Sequence, residues 1–199
     1  MSLVPMILEN TPKGERAMDL FSRMLDDNIV FLNGAVTQAS GSLIMAQLLW
    51  LNSKDKDKPI FFYINSEGGS ISSAYQIYDT MNYISNPVYT ICTGIAMSAG
   101  AFLLGAGEKG HRYSLPNSEM LIHQPLVSGG ISGQETDVII HAQHLTRTRA
   151  RLEAVMAEYT GQSVETIHNA CDRDNYLTPE EAKTFGLIDK IITSQNDLL

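Results

Sequence analysis

The chain has 199 residues and is 44% hydrophobic, enough for one domain with a substantial buried core. Its 14 basic and 22 acidic residues leave a net charge of −8, which argues against a nucleic-acid partner, because such a partner requires a basic stripe. No stretch approaches the ~20 apolar residues of a membrane span, and the start lacks the basic and apolar regions of a signal peptide. The expectation is a soluble, cytoplasmic protein without membrane contact. Cys92 and Cys171 stand outside any C-x-x-C pair, so neither metal ligation nor a redox dithiol is indicated. Both are expected as free thiols.

In chain order, residues 1–13 and 194–199 read as mobile tails. Three apolar runs, 29–32, 60–64 and 88–92, read as strands covered on both faces. Their starts lie roughly 30 residues apart, the length of a strand–helix–strand unit. Each run leads through glycine (Gly34, Gly68-Gly69, Gly94) into a helical pattern. The first helix, 41–52, is apolar nearly all round and is expected to be deeply buried. The second, 71–84, carries an apolar stripe and stops at Asn86-Pro87. A third begins near Ser98. A short strand, 120–123, precedes an irregular Gly- and Ser-rich stretch, 127–133. A long helix, 135–159, follows and Gly161 ends it. Thr178-Pro179-Glu180-Glu181 is a capping box that opens a short helix closed by Gly186. Residues 187–193 read as a last strand. The fold class is α/β.

Two glycine-rich turns between strand and helix, 65–70 and 94–100, gather backbone N–H groups of the kind that bind an oxyanion. Ser98 sits in the second, among Ala96, Ala99 and Gly100. The setting is similar to a nucleophile elbow without the G-x-S-x-G pattern. Taken alone, a serine there is more often a helix cap than a nucleophile. Gly69 and Ala99 are the candidate oxyanion donors. A serine nucleophile needs a base, and His123 ends a strand before Gln124-Pro125, where it can face a cleft. His111, His141, His144 and His168 read as surface residues. Asp174, just before the Thr178 box, is the candidate to orient the histidine.

These residues together resemble the ClpP family, the proteolytic subunit of the Clp protease. The matching stretches are Leu3-Val4-Pro5-Met6, Gly14-Glu15-Arg16, Tyr63-Ile64-Asn65-Ser66, Ile77-Tyr78-Asp79-Thr80-Met81, Leu115-Pro116-Asn117, Ile122-His123-Gln124-Pro125-Leu126, Thr160-Gly161-Gln162, Asp172-Arg173-Asp174 and Phe185-Gly186-Leu187-Ile188-Asp189. The resemblance implies a ClpP/crotonase-like spiral of β-β-α units in a single domain over 1–199. It implies an N-terminal pore segment (1–18), a head (19–126 and 160–193) and a handle (127–159) that interlocks two heptameric rings into a tetradecamer.

The resemblance further implies that Ser98, His123 and Asp174 are nucleophile, base and orienting acid, with Gly69 and Ala99 at the oxyanion hole. Ser70 and Ile71 fall where a peptide substrate pairs as an added strand. Asp172 and Arg173 match an assembly-sensing ion pair, and Phe61, Tyr63, Tyr83 and Tyr113 match an aromatic site for a AAA+ unfoldase. The implied activity is ATP-dependent cleavage of unfolded proteins, with ATP consumed by the unfoldase and no metal or cofactor on this chain. Four departures stand out. Glu67 replaces the usual proline, Ala99 a usual methionine, the 127–133 stretch is about two residues longer than usual, and Pro12-Lys13 alters the pore segment. Glu67 and the longer handle motivate a second reading, a dormant paralogue acting as structural partner in a mixed ring. A crotonase-type acyl-CoA enzyme is a third, weakened because such enzymes use carboxylates rather than Ser/His.

Overall fold

The computed structural model describes residues 4–12 and 14–198; Leu3 of the first matching stretch and Lys13 lie outside them. β1 (Met6–Thr11) and β2 (Gly14–Asp19) form an antiparallel hairpin with Met6 opposite Asp19. This corrects the expected tail over residues 6–11, where main-chain groups pair along a ladder instead. Burial alternates along the strand, but its more exposed positions hold the apolar Met6 and Leu8 and a more covered one holds Glu9, so no apolar–polar alternation reveals it. The C-terminal tail is also ordered through Leu198. Asp197 accepts hydrogen bonds from the Thr193 and Ser194 N–H groups at 2.9 and 2.8 Å and anchors a 3-10 turn over Gln195–Leu198.

α1 (Leu20–Asp26) starts on Asp19, whose Oδ1 accepts from Ser22 N–H at 3.0 Å. The seven-stranded sheet then builds outward from β3 (Ile29–Asn33), β4 (Ile60–Ser66) and β5 (Val88–Met97), all parallel. β5 runs through Gly94, where a turn into helix was expected. Gly94 takes φ 96° and the register against β4 shifts there. Ser118 Oγ and Asn65 Oδ1 accept from Gly94 and Ile95 N–H at 3.1 and 3.3 Å, so the irregular residues keep hydrogen-bond partners. The long β5 holds two short strands in succession along one edge. β6 (Arg112–Ser114) pairs with residues 90–92, and β7 (Glu119–Ile122) pairs with residues 95–97.

α2 (Gln38–Lys54), α3 (Ile71–Tyr83) and α4 (Ala99–Gly105) pack with the buried side chains of β3, β4 and β5 into the main core around Leu32, Leu48, Phe62, Ile77 and Leu103. Two expectations need correction. α2 buries only Gly41, Ile44, Leu48 and Leu51, while Leu43 is 61% exposed and Trp50 43% exposed. The helix has a sheet and α3 on one side only, so its far apolar residues find no cover within one chain. The strands are likewise not covered equally on both faces. β4 alternates, with Ile60, Phe62 and Ile64 fully buried and Phe61 and Tyr63 half-buried in a smaller aromatic layer with Ile91, Tyr113 and Ile192.

α5 (Glu135–Thr160) follows the irregular 127–133 stretch and ends on Gly161 at φ 74°. Every residue from 126 to 144 is exposed, and only the later part of α5 joins the core, through Met156. α6 (Val164–Ala170) was not anticipated. β8 (Asn175–Leu177) pairs antiparallel with β7. Thr178 and Glu181 form the expected box at the start of α7 (Pro179–Phe185), and Gly186 closes it at φ 90°. β9 is reduced to Lys190–Ile191 beside β6.

Arg112 joins these late elements. Its side chain is 4% exposed and forks onto Asp189, with Nε to Oδ2 at 2.8 Å and Nη2 to Oδ1 at 2.6 Å. Its third nitrogen, Nη1, donates to the carbonyls of Gly105, Tyr159 and Gly186 at 3.3, 2.9 and 2.9 Å, which ties together the ends of α4, α5 and α7. Burial alone would raise the Asp189 carboxyl, but hydrogen bonds from Arg112 outweigh it and hold the group below its ordinary value. A lowered carboxylate stabilises the fold above the unfolded-state value and loses that contribution as pH falls through the folded one. Arg112→Ala strands the partly buried carboxylate and three carbonyls, and the expected cost is about 2–4 kcal/mol in urea unfolding at neutral pH. A loss below about 1 kcal/mol would show that the cluster is dispensable.

Candidate active site

The strand register brings the chemistry together. In the β5–β7 pairing Met97 lies opposite Leu121, and in the β7–β8 pairing Ile122 lies opposite Asn175. One residue beyond those paired ends stand Ser98, His123 and Asp174, at the ends of three neighbouring strands. Ser98 N–H donates to Leu121 O at 2.8 Å, and Gln124 N–H donates to Cys171 O at 2.6 Å, so both flanks are locked. Ser98 Oγ lies 2.8 Å from His123 Nε2, and His123 Nδ1 lies 3.0 Å from Asp174 Oδ1.

Ser98 occupies the position before α4 but makes no capping bond. Its φ of 54° and ψ of −117° lie outside the ordinary regions for an L-residue, a strain of order 1–3 kcal/mol. The surrounding structure imposes this kink and aims Oγ at the histidine rather than at the helix N–H groups.

The other turn closes against it. A Cβ on Gly68 would come 2.7 Å from Ser98 Cβ and 2.6 Å from Met97 O, and one on Gly69 would come 2.3 Å from Val36 O. Only glycine fits either position, and both have positive φ, 91° and 146°. Gly68 O accepts from Val36 N–H and Val36 O accepts from Ser70 N–H, both at 2.8 Å. In this parallel bridge Val36 bonds the two residues that flank Gly69, so the Gly69 N–H faces away from Val36, and Gly69 itself lines the cleft. Ala99 is the first residue of α4, where a helix leaves its N–H groups without intrahelical partners. The cleft holds a cavity of about 700 Å³, and its lining includes Gly69, Ser70, Ile71, Ser98, Ala99 and His123. Ser70 also caps α3, its Oγ accepting from Ser73 N–H at 3.3 Å.

A protein-family model, Clp protease, matches residues 12–195. The chain belongs to the Clp protease family. A mostly parallel sheet with helices is the fold of this family, and the family is one of serine peptidases.

The remaining residues matched to the Clp protease pattern are placed as follows. The Asp172 carboxylate lies 3.8 Å from Arg149 Nη2 and 3.5 Å from Gln124 Nε2, whereas Arg173 reaches the Asp172 main-chain oxygen at 3.4 Å. Phe61, Tyr63 and Tyr113 share the aromatic layer on the face away from the main core. Tyr113 is buried there with its hydroxyl 2.9 Å from His111 Nδ1, and His111 stacks on Tyr89 at 3.9 Å. His111 therefore belongs to this layer rather than standing free on the surface. Burial pushes the Tyr63 and Tyr113 hydroxyls up. Tyr83 ends α3 and is 81% exposed.

Cys92 and Cys171 are free and buried, and burial raises both thiols to about 11. Cys171 thus contributes its carbonyl to the site rather than a thiolate.

Sequence reasoning missed the brace behind the loops that carry His123 and Asp174. Arg149 of α5 donates Nη1 to Gln124 Oε1 at 2.8 Å and Nε to the buried Glu153 at 2.6 Å. Gln124 Nε2 in turn donates to Asp172 O at 2.6 Å. His168, on the surface as expected, lies 3.0 Å from Glu153 through Nδ1. The i, i+4 spacing of Arg149 and Glu153 was visible in the sequence, but their partners on other loops were not.

Proposed function

We propose that this Clp protease family member cleaves peptide bonds through a Ser98–His123–Asp174 triad. The observation that carries the reading is the unbroken hydrogen-bond relay from Ser98 Oγ through His123 to Asp174. His123 Nε2 takes the proton as Ser98 Oγ bonds to the substrate carbonyl carbon. Gly69 and Ala99 N–H groups stabilise the oxyanion. The carbon–nitrogen bond then breaks, His123 protonates the leaving amine, and a water activated by His123 hydrolyses the acyl-enzyme. Asp174 holds the imidazole and stabilises its charged form. A substrate strand pairs beside Ser70 and Ile71, with Phe102, Leu152 and Met156 forming an apolar wall of the cleft.

The relay forms within one chain, which supports an active subunit over a dormant structural partner and Ser/His chemistry over a carboxylate-based acyl-CoA enzyme. Assembly into stacked heptameric rings, a AAA+ unfoldase as partner, and unfolded proteins as substrates in the cytoplasm complete the reading. Exposed Leu43 and Trp50 on α2 and Val138, Ile139 and Ile140 on the projecting part of α5 support self-association, since apolar patches of this kind mark contact surfaces. A serine-reactive fluorophosphonate added to the assembled protein is expected to yield one adduct, mapped by mass spectrometry to Ser98. Absence of that adduct in an intact ring would sink the proposal; an adduct without peptide cleavage would favour the dormant-subunit reading.

A further inference from the structure

Among the residues lining the cleft, Glu67 is the one acidic side chain, and the others apart from His123 carry no charge. Glu67 is exposed and joins none of the ion pairs among the described residues. It directly precedes Gly68, whose added Cβ would come 2.7 Å from Ser98 Cβ. An unneutralised carboxylate therefore stands one residue from the contact with the nucleophile.

The Gly69 N–H divides this segment. Ser70 and Ile71 run to one side of it, and Glu67 lies on the other. A substrate strand pairing antiparallel to residues 69–71, with its scissile carbonyl at Gly69 N–H, carries its acyl half along Ser70 and Ile71. Its leaving half then passes Glu67.

We propose that Glu67 is a specificity-determining residue that favours lysine or arginine in the first positions on the leaving-group side of the scissile bond. The inference rests on the serine-peptidase reading above and names a substrate class for it. The attraction acts across a water-accessible cleft, so it is modest, roughly 2- to 5-fold in kcat/KM for a cation over a neutral residue. An acidic residue in the same place meets like charge and is disfavoured by a similar factor.

The test uses the assembled full-length protein and three unstructured peptides that differ only in Lys, Gln or Glu at the first leaving-group position. A second set places the same residues on the acyl side. Cleavage sites are confirmed by mass spectrometry. The order Lys over Gln over Glu is expected on the leaving-group side. Glu67→Gln should bring the three rates together, and Glu67→Lys should reverse the order. Salt at 0.5 M should compress the spread, because it shortens the screening length to ~4 Å. Equal ratios in the parent and in Glu67→Gln overturn the proposal, as does a basic preference confined to the acyl side. If Ser98 takes the fluorophosphonate and peptides are cleaved without the preference, the Glu67 assignment alone has failed. If Ser98 is unlabelled and no peptide is cut, the peptidase reading has failed and the inference falls with it.

Discussion

Ser98→Ala is expected to lower kcat for a cleavable peptide by roughly 10⁴- to 10⁶-fold, the range for removing the nucleophile of a triad that acts as a unit. The loss should fall in kcat, because Oγ contributes to bond formation rather than to holding the substrate. The residue left behind keeps the Gly69 and Ala99 N–H groups, so some acceleration over water should survive. Stability should change little, by no more than about 0.5 kcal/mol, since Ser98 Oγ caps no helix and bonds only His123 among the described residues. Single-turnover cleavage and thermal unfolding of the same preparation separate the two. A variant that retains a tenth of the activity would remove Ser98 from the mechanism.

The second large effect is expected at Asp174. Its Oδ1 accepts from His123 Nδ1 at 3.0 Å, which leaves Nε2 free to accept the Ser98 proton. Asp174→Asn presents an amide that can donate to Nδ1 and force the proton onto Nε2, the wrong tautomer for a base. In a buried serine-peptidase triad the equivalent change costs about 10⁴ in kcat. The Asp174 side chain is 62% exposed, so water shares its role, and roughly 10²- to 10⁴-fold is expected here. KM and oligomeric state should be unchanged, because Asp174 is absent from the cleft lining and from the exposed apolar patches on α2 and α5. Slower fluorophosphonate labelling of Ser98 should track the fall in kcat. Unchanged labelling and turnover would mean that another group orients His123.

The features read correctly from sequence share one property: their cause is local. Thr178 and Glu181 cap α7 through bonds three residues apart. α5 ends where Gly161 supplies a left-handed residue. The strands near 29, 60 and 88 announce themselves by apolar runs at even spacing. Features that were missed have distant causes. β6 and β8 are three residues long and exist because β5 and β7 offer them an edge. Arg112 looks like any charged residue until Asp189 and three carbonyls converge on it from other elements.

The same division runs through the active site. By itself the sequence determined which residue types were available: a serine at a tight turn, a histidine before a proline, an aspartate before a capping box, and paired glycines. For Ser98 taken alone, a helix cap was the better account. Tertiary structure decided against it, because the kink at φ 54° turns Oγ from the helix and the β5–β7–β8 register sets Ser98, His123 and Asp174 side by side. Strand register depends on the packing of whole faces, and no short-range pattern encodes it. The composition of the Ser98–His123–Asp174 relay is therefore written in the sequence, while its geometry belongs to the sheet.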